Sequence, residues 1–176
     1  MSQSRLDFGS RTRRTPAHLV LASALCAVAL PGAAAGQQND REAVMAVIDR
    51  LFDAMRANDG DGVRSVFADG AMLISTEAAD GSPRTSYIPA DGFANAVGNA
   101  TVEWDEPYWD PIVQIQDHLA TVWIKYAFYA DGQFSHCGVD AVMLARGPDG
   151  WKIAALADTR EQANCELPPD RQPVEG

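Results

Sequence analysis

The chain has 176 residues, 47% of them apolar and 22% charged, with a formal net charge of −10. That length and composition describe one domain with enough apolar side chains for a packed core, and they exclude disorder as the default state. The acidic balance repels phosphates and anionic lipid head groups, so neither nucleic acid nor a membrane surface is expected as a partner.

The N-terminus reads as an export signal. Arg5, Arg11, Arg13 and Arg14 form a basic head, the run from Ala17 to Leu30 is apolar, and Ala33, Ala34 and Ala35 place small residues at a cleavage site. The apolar run is shorter than the roughly 18–20 residues a membrane span needs. Arg13-Arg14 raises the twin-arginine route, but Thr15-Pro16 continues it poorly, so Sec export is preferred. Cys26 follows Leu25 rather than a small residue, which argues against lipid attachment. Residues 1–35 are therefore expected to be a signal peptide, 36–166 the folded domain and 167–176 a disordered tail. The location is periplasmic or secreted, with no membrane association after cleavage. Removing residues 1–35 takes away four arginines and one aspartate, moving the charge to −13, and leaves Cys137 and Cys165. In an oxidising compartment two cysteines read as a disulfide, here closing a loop of about 29 residues worth roughly 3–4 kcal/mol; two buried free thiols are the alternative.

Val44, Val47, Ile48, Leu51, Phe52 and Met55 recur at the spacing of one helical face, with Asp40 as a candidate N-cap and Asn58-Asp59-Gly60 as the stop. A short helical segment follows from Gly62 to Phe67, then a strand from Ala71 to Thr76. Residues 77–88 read as a loop around Asp80-Gly81-Ser82-Pro83, and Pro89 opens a further helix carrying Phe93 and Val97. Strands are expected over Ile112 to Gln116, Leu119 to Ala130, Phe134 to Arg146 and Trp151 to Thr159, the last three joined by turns at Asp131-Gly132 and at Gly147 to Gly150. Helices followed by a strand meander make an α+β order, with the amphipathic helix covering the concave face of a curved antiparallel sheet.

Placing the turns at those positions assigns strand faces, because side chains alternate along a strand. The concave face then collects Val122, Ile124, Tyr126 and Phe128, with Val139, Ala141, Met143 and Ala145, and with Ala154, Leu156, Asp158 and Arg160. The outer face takes Trp123, Lys125, His136, Asp140, Trp151 and Ile153, and its large aromatics suggest a homodimer. A one-residue bulge would exchange the faces locally.

The run His136-Cys137-Gly138-Val139-Asp140-Ala141, followed by Gly150-Trp151-Lys152-Ile153 and Asp158-Thr159-Arg160, resembles the nuclear-transport-factor-2-like superfamily, in its exported SnoaL-like or lumazine-binding-like forms. The resemblance spans roughly residues 40–165. It implies a cone with a pocket, frequent dimers, and members that include isomerases, cyclases, dehydratases, epoxide hydrolases and pure binding domains. Fold likeness does not choose among them.

Asp158, at the end of an apolar strand face, is the candidate general base, with a salt bridge to Arg160 as the structural alternative. It is loosely similar to a late-strand aspartate of limonene epoxide hydrolase, but Tyr126 and Phe128 stand where that enzyme's arginine–aspartate pair would be sought. Tyr126 and Tyr87 are candidate oxyanion donors, or simply packing. The expected ligand-contacting set is Phe52, Trp104, Ile124, Tyr126, Phe128, Val139, Ala141, Met143, Leu156, Asp158 and Arg160. His118 and His136 have no partners at ligand spacing, so neither a metal nor a cofactor is expected. Trp104, Tyr108 and Trp109 lie among Glu103, Asp105, Glu106 and Asp110, and read as a loop capping the core or gripping a cationic or sugar-like ligand. Three functions follow. One is non-catalytic binding of a small, mostly apolar molecule. The second is an isomerase, cyclase or dehydratase with Asp158 as base and Tyr126 as polariser. The third is a dimerisation or accessory module with no ligand.

Overall fold

The structure is a computed structural model and describes residues 31–79 and 81–171. The basic head, apolar run and Cys26 of the expected signal lie outside these residues. Helix α1 (Pro31–Arg56) starts well before Asp40, which therefore caps nothing and instead pairs with Arg146. Its stripe Val44, Val47, Ile48, Leu51, Phe52 and Met55 is buried as the spacing predicts. Each such side chain contributes roughly 1.5–3 kcal/mol on burial. The chain turns at Asn58, whose φ of 53° is left-handed. Asp59 caps α2 (Gly60–Val66) by accepting from the Gly62 amide at 2.8 Å.

The sheet then opens with β1 (Phe67–Ala79) and β2 (Ser82–Pro89). The stretch read as a loop is instead a hairpin, with Thr76 facing Thr85 and Ala79 facing Ser82. Pro89 leads into α3 (Ala90–Gly98), as expected. Next come β3 (Trp104–Asp105), β4 (Tyr108–Gln116), β5 (Leu119–Ala130), β6 (Gln133–Gly147) and β7 (Gly150–Arg160). The seven strands form one sheet ordered β2-β1-β7-β6-β5-β3, with β4 also pairing β5. Most pairings are antiparallel, but β1 runs parallel to β7, so the sheet is mixed. The β5–β6 turn places Asp131 and Gly132 at φ of 52° and 72°, the left-handed pair a two-residue hairpin requires.

Two bulges correct the face assignment. From the turn, Ala130 faces Gln133 and Tyr129 faces Phe134, but Phe128 then faces His136, leaving Ser135 over. The extra residue turns the rest of β6 over. Asp140 and Val142 point into the concave side with Ile124 and Val122, while Val139, Ala141 and Met143 lie on the convex side. A second bulge passes Ala154, between Leu144–Ile153 and Met143–Ala155. Trp151 and Ile153 are consequently buried in the core, not outside, and Leu156, Asp158 and Arg160 return to the concave face where they were expected.

α1 and α3 cover part of that concave face and form one core with it. The far end of the convex face is covered by the chain after β7. Cys137 and Cys165 are joined in a disulfide, and Ala127, Tyr129 and Cys137 pack with Trp109, Cys165 and Leu167. Arg171 lies over the Tyr129 ring at 4.4 Å and pairs with Asp105 at 2.5 Å. Residues 167–171, expected to be tail, are therefore held against the domain. Gly138 sits where β6 meets β7 so closely that a Cβ there would fall 1.9 Å from the Thr159 carbonyl oxygen. Among the described residues no helix is long and apolar enough to cross a membrane.

Candidate functional site

The uncovered part of the concave face encloses a cavity of about 1160 Å³ between the sheet, α1 and α3. Its apolar wall includes Phe52, Trp104, Phe128 and Leu156, all four in the expected contact set. Ile124 is fully buried in the core and does not border the cavity, and Val139, Ala141 and Met143 are on the wrong face to reach it. Exposed residues Gly81 to Pro83 and Glu161 to Ala163 border the opening. Aromatic rings run along one side: Phe93 to Trp104 at 6.5 Å, Trp104 to Phe128 at 5.7 Å, Phe128 to His136 at 5.1 Å and His136 to Tyr126 at 5.7 Å.

That row ends on a polar group made from three strands and one link. β5 supplies Tyr126, β6 supplies Asp140 and His136, β7 supplies Asp158 and Arg160, and the β3–β4 link supplies Glu106. Trp104, Glu106 and Tyr108 share the inward side because residues two apart on an extended chain do so, while the intervening Asp105 points to Arg56 and Arg171. Tyr108 packs on Phe52 at 5.3 Å and donates its hydroxyl to Asp49 at 2.5 Å. The Pro107 carbonyl accepts from the Ala127 amide at 3.1 Å, which fixes Glu106 beside β5.

Asp158 lines the cavity as expected and is 8% exposed. Its Oδ2 accepts from Arg160 Nε at 2.7 Å and lies 3.4 Å from the Tyr126 hydroxyl, whose better acceptor is the Thr159 carbonyl at 2.8 Å. Arg160 also donates to Ser75 Oγ at 3.0 Å. The expected base and the expected polariser are thus neighbours, each already held by a structural partner.

Glu106, read as part of a capping or ligand-gripping loop, and Asp140, assigned to the outer face, are the residues that the expected site lacked. Asp140 is 1% exposed, and no amide, hydroxyl or cation of the protein donates to its buried Oδ2. The Glu106 residue keeps some surface, but protein atoms crowd its carboxyl. Burial pushes both carboxyls well above the usual range; for Glu106 the charges of Asp140 and then Asp158 add to it, and for Asp140 that of Asp158. The two are in side-chain hydrogen-bonding contact, and two carboxylates have no proton to share, so at least one must stay protonated. The pair therefore shares a proton between its two carboxyls. Burial, followed by the charge of Arg160, pushes His136 down, which favours the neutral ring. Burial also raises the Tyr126 hydroxyl, with the charges of Glu106, Asp158 and Asp140 adding to it.

Periodicity alone offered one signal for Glu106, the alternation Trp104-x-Glu106-x-Tyr108; the prolines around it disguise a strand. Asp140 had none, because its face depends on the bulge at Ser135. Among the described residues, no group of three or more His, Cys, Asp or Glu is arranged to hold a metal ion.

No protein-family model matches the sequence. No curated protein matches it either. Solved structures do. An NTF2-like protein with a cystatin-like fold from Novosphingobium aromaticivorans superposes with a TM-score of 0.60 at 13% identity, over 76% of this chain and 90% of that one. A proposed dehydratase of the NTF2-like family from Streptomyces avermitilis gives 0.57 at 17% identity, over 72% and 99%. A Mycobacterium tuberculosis protein of unknown function gives 0.60 at 13% identity, over 74% and 77%. At such identities the likeness is one of fold. Helices packed on a curved, unclosed sheet around an inner cavity make this chain a nuclear-transport-factor-2-like cone.

Proposed function

We propose that the protein binds a small, mostly apolar molecule in the cone without transforming it. The observation that carries this reading is the cavity itself: about 1160 Å³, walled by Phe52, Trp104, Phe128 and Leu156, with polar groups gathered at one place. Sites for small molecules have this make-up, an apolar lining with a few fixed polar groups. A thermal-shift screen of the oxidised protein against neutral polycyclic, terpenoid and aromatic compounds tests it. Hits should raise the melting temperature with concentration, and Phe128→Asp should abolish the response; a response that survives that change places binding elsewhere.

A second reading, proton-transfer catalysis of the isomerase, cyclase or dehydratase kind, is favoured by the protonated carboxyl pair beside Tyr126. Asp158 serves it as base only if Arg160 releases it on binding. Asp158→Asn separates the two readings, since it ends turnover in the second and leaves binding intact in the first.

The disulfide supports export to an oxidising compartment. Sequencing the N-terminus of the protein recovered from the periplasm or medium would test that, with a start near residue 36 expected. We also propose that two copies pair through the convex face. There an apolar row crosses the sheet from Ile112 to Trp123, Ala141, Ala157 and Ile74, with Ile112 60% and Trp123 49% exposed.

A further inference from the structure

The polar end of the cavity is short of positive charge and of hydrogen-bond donors. Five carboxyls border the cavity, those of Glu77, Glu106, Asp140, Asp158 and Glu161, against one guanidinium, that of Arg160. Glu77 is paired with Arg84 outside the lining, and Asp158 with Arg160, which leaves Glu106 and Asp140 deepest without a cation. Arg160 is already committed, its Nε to Asp158 and another nitrogen to Ser75. The Tyr126 hydroxyl is spent on the Thr159 carbonyl, and burial favours the neutral form of His136. Asp140, almost wholly buried, meets the Glu106 carboxyl, and beyond the proton that this pair shares its Oδ2 receives nothing from any amide, hydroxyl or cation. One shared proton leaves the other acceptor positions of the two carboxyls unmet, and a buried acceptor in that state costs about 1–3 kcal/mol, which a ligand with several donors would relieve.

We infer that the ligand of this cone is a protonated amine on an apolar body, its ammonium seated between Glu106 and Asp140 and its body along the Trp104–Phe128–His136 row. This rests on the reading of the cavity as a binding site. An ammonium brings three donors and a full positive charge to a place that lacks both, whereas a hydroxyl brings one donor and no charge. An anionic ligand would meet the cation-free carboxyls of Glu106 and Asp140 and a guanidinium already neutralised by Asp158. The aromatic faces favour a cation further. The chain's net charge of −10 steers cations toward it at long range. Seating the ammonium also favours the carboxylate form of both acids, so the proton that the pair shares leaves to solvent as the amine enters.

The test is titration calorimetry at pH 7 on the oxidised protein, with matched rigid probes: 1-aminoadamantane, 1-adamantanol and adamantane-1-carboxylate, and the same series on a 2-phenylethyl body. The amines should bind at least tenfold tighter than the alcohols, and the carboxylates weakest. Repeating the amine titration in phosphate and in Tris should reveal a fraction of a proton released per amine bound. Asp140→Asn and Glu106→Gln should each remove the amine preference and the proton release while alcohol binding persists; melting curves show that the variants are folded, and either one suffices. Alcohols or carboxylates binding as tightly as amines would overturn the inference. So would silence from every amine alongside hits in the neutral-compound screen, which leaves the binding reading standing. Silence from both collections ends both.

Discussion

The Glu106–Asp140 pair should make protein stability fall as pH rises above the ordinary carboxylate range, which is the reverse of what ordinary paired carboxylates do. In the unfolded chain the two acids ionise near pH 4. In the fold, burial and mutual proximity hold at least one proton to well above that value. Between the two pKa values the folded state carries more protons than the unfolded one. Their contribution is therefore fully present below about pH 4 and is lost as pH rises through the folded value. Each retained proton gives a slope of about 1.4 kcal/mol per pH unit, so a proton kept throughout the interval from about pH 6.5 to about pH 8 would account for roughly 2 kcal/mol.

That window isolates the pair. His136, pushed down by burial, contributes with the opposite sign, but only below its unfolded pKa of about 6.5. Burial raises Asp105, yet its bonds from Arg171 and Arg56 hold it below the usual range, so its contribution is complete above about pH 4 and lost only in acid. The raised hydroxyls of Tyr126 and Tyr108 act above about pH 10. Urea unfolding of the oxidised protein at steps across the window should give a falling free energy. Asp140→Asn leaves Glu106 an amide donor and so eases its ionisation; the double variant with Glu106→Gln removes both acids and should flatten the profile and raise stability at the alkaline end. A wild-type profile that is level or rises, or a double variant that keeps the fall, would refute the assignment of the shared proton.

Gly138→Ala should cost about 3 kcal/mol or prevent folding, because its Cβ would meet the backbone oxygen of Thr159 at 1.9 Å, where no rotamer change gives relief; urea titration reads the loss. Reducing Cys137–Cys165, 28 residues apart, should lower stability by roughly 3–4 kcal/mol in the same assay. Because Cys137 also exchanges backbone bonds with Glu161, reduction should loosen the Glu161 to Ala163 rim and speed its amide exchange. Trp123→Glu should turn a dimer into a monomer in light scattering, with the melting temperature of the dilute protein unchanged; a wild-type protein that is monomeric at 100 μM ends that proposal.

Where local chemistry decides structure, the sequence was legible. The α1 stripe, the Asp131-Gly132 turn and the run of long strands each follow from spacing or from a residue's φ preference. β2 was not legible. Its eight residues are all exposed and include two prolines and an arginine, so no apolar alternation marks it, and only pairing with β1 makes it a strand. β3 was missed for a related reason: two residues between prolines and acids carry no period at all.

The site shows how a correct answer can come from compensating errors. Asp158 was placed inside by counting residues from two turns, and each count was off by one bulge. The errors cancelled along β7, so Leu156, Asp158 and Arg160 were placed correctly, while β6 carried one uncancelled error and lost Asp140 to the outside. Bulge positions are set by how strands coil around the helix, a property of the assembled sheet that no window of sequence contains. The consequence is chemical. With Asp140 outside, Asp158 looked like a lone acid in an apolar hollow and invited the role of base. With Asp140 inside, Asp158 is the neutralised member of an ion pair, and the unbalanced charge belongs to Glu106 and Asp140. One extra residue at Ser135 thus moves the unbalanced charge of the cone from the end of β7 to the space between β6 and the β3–β4 link.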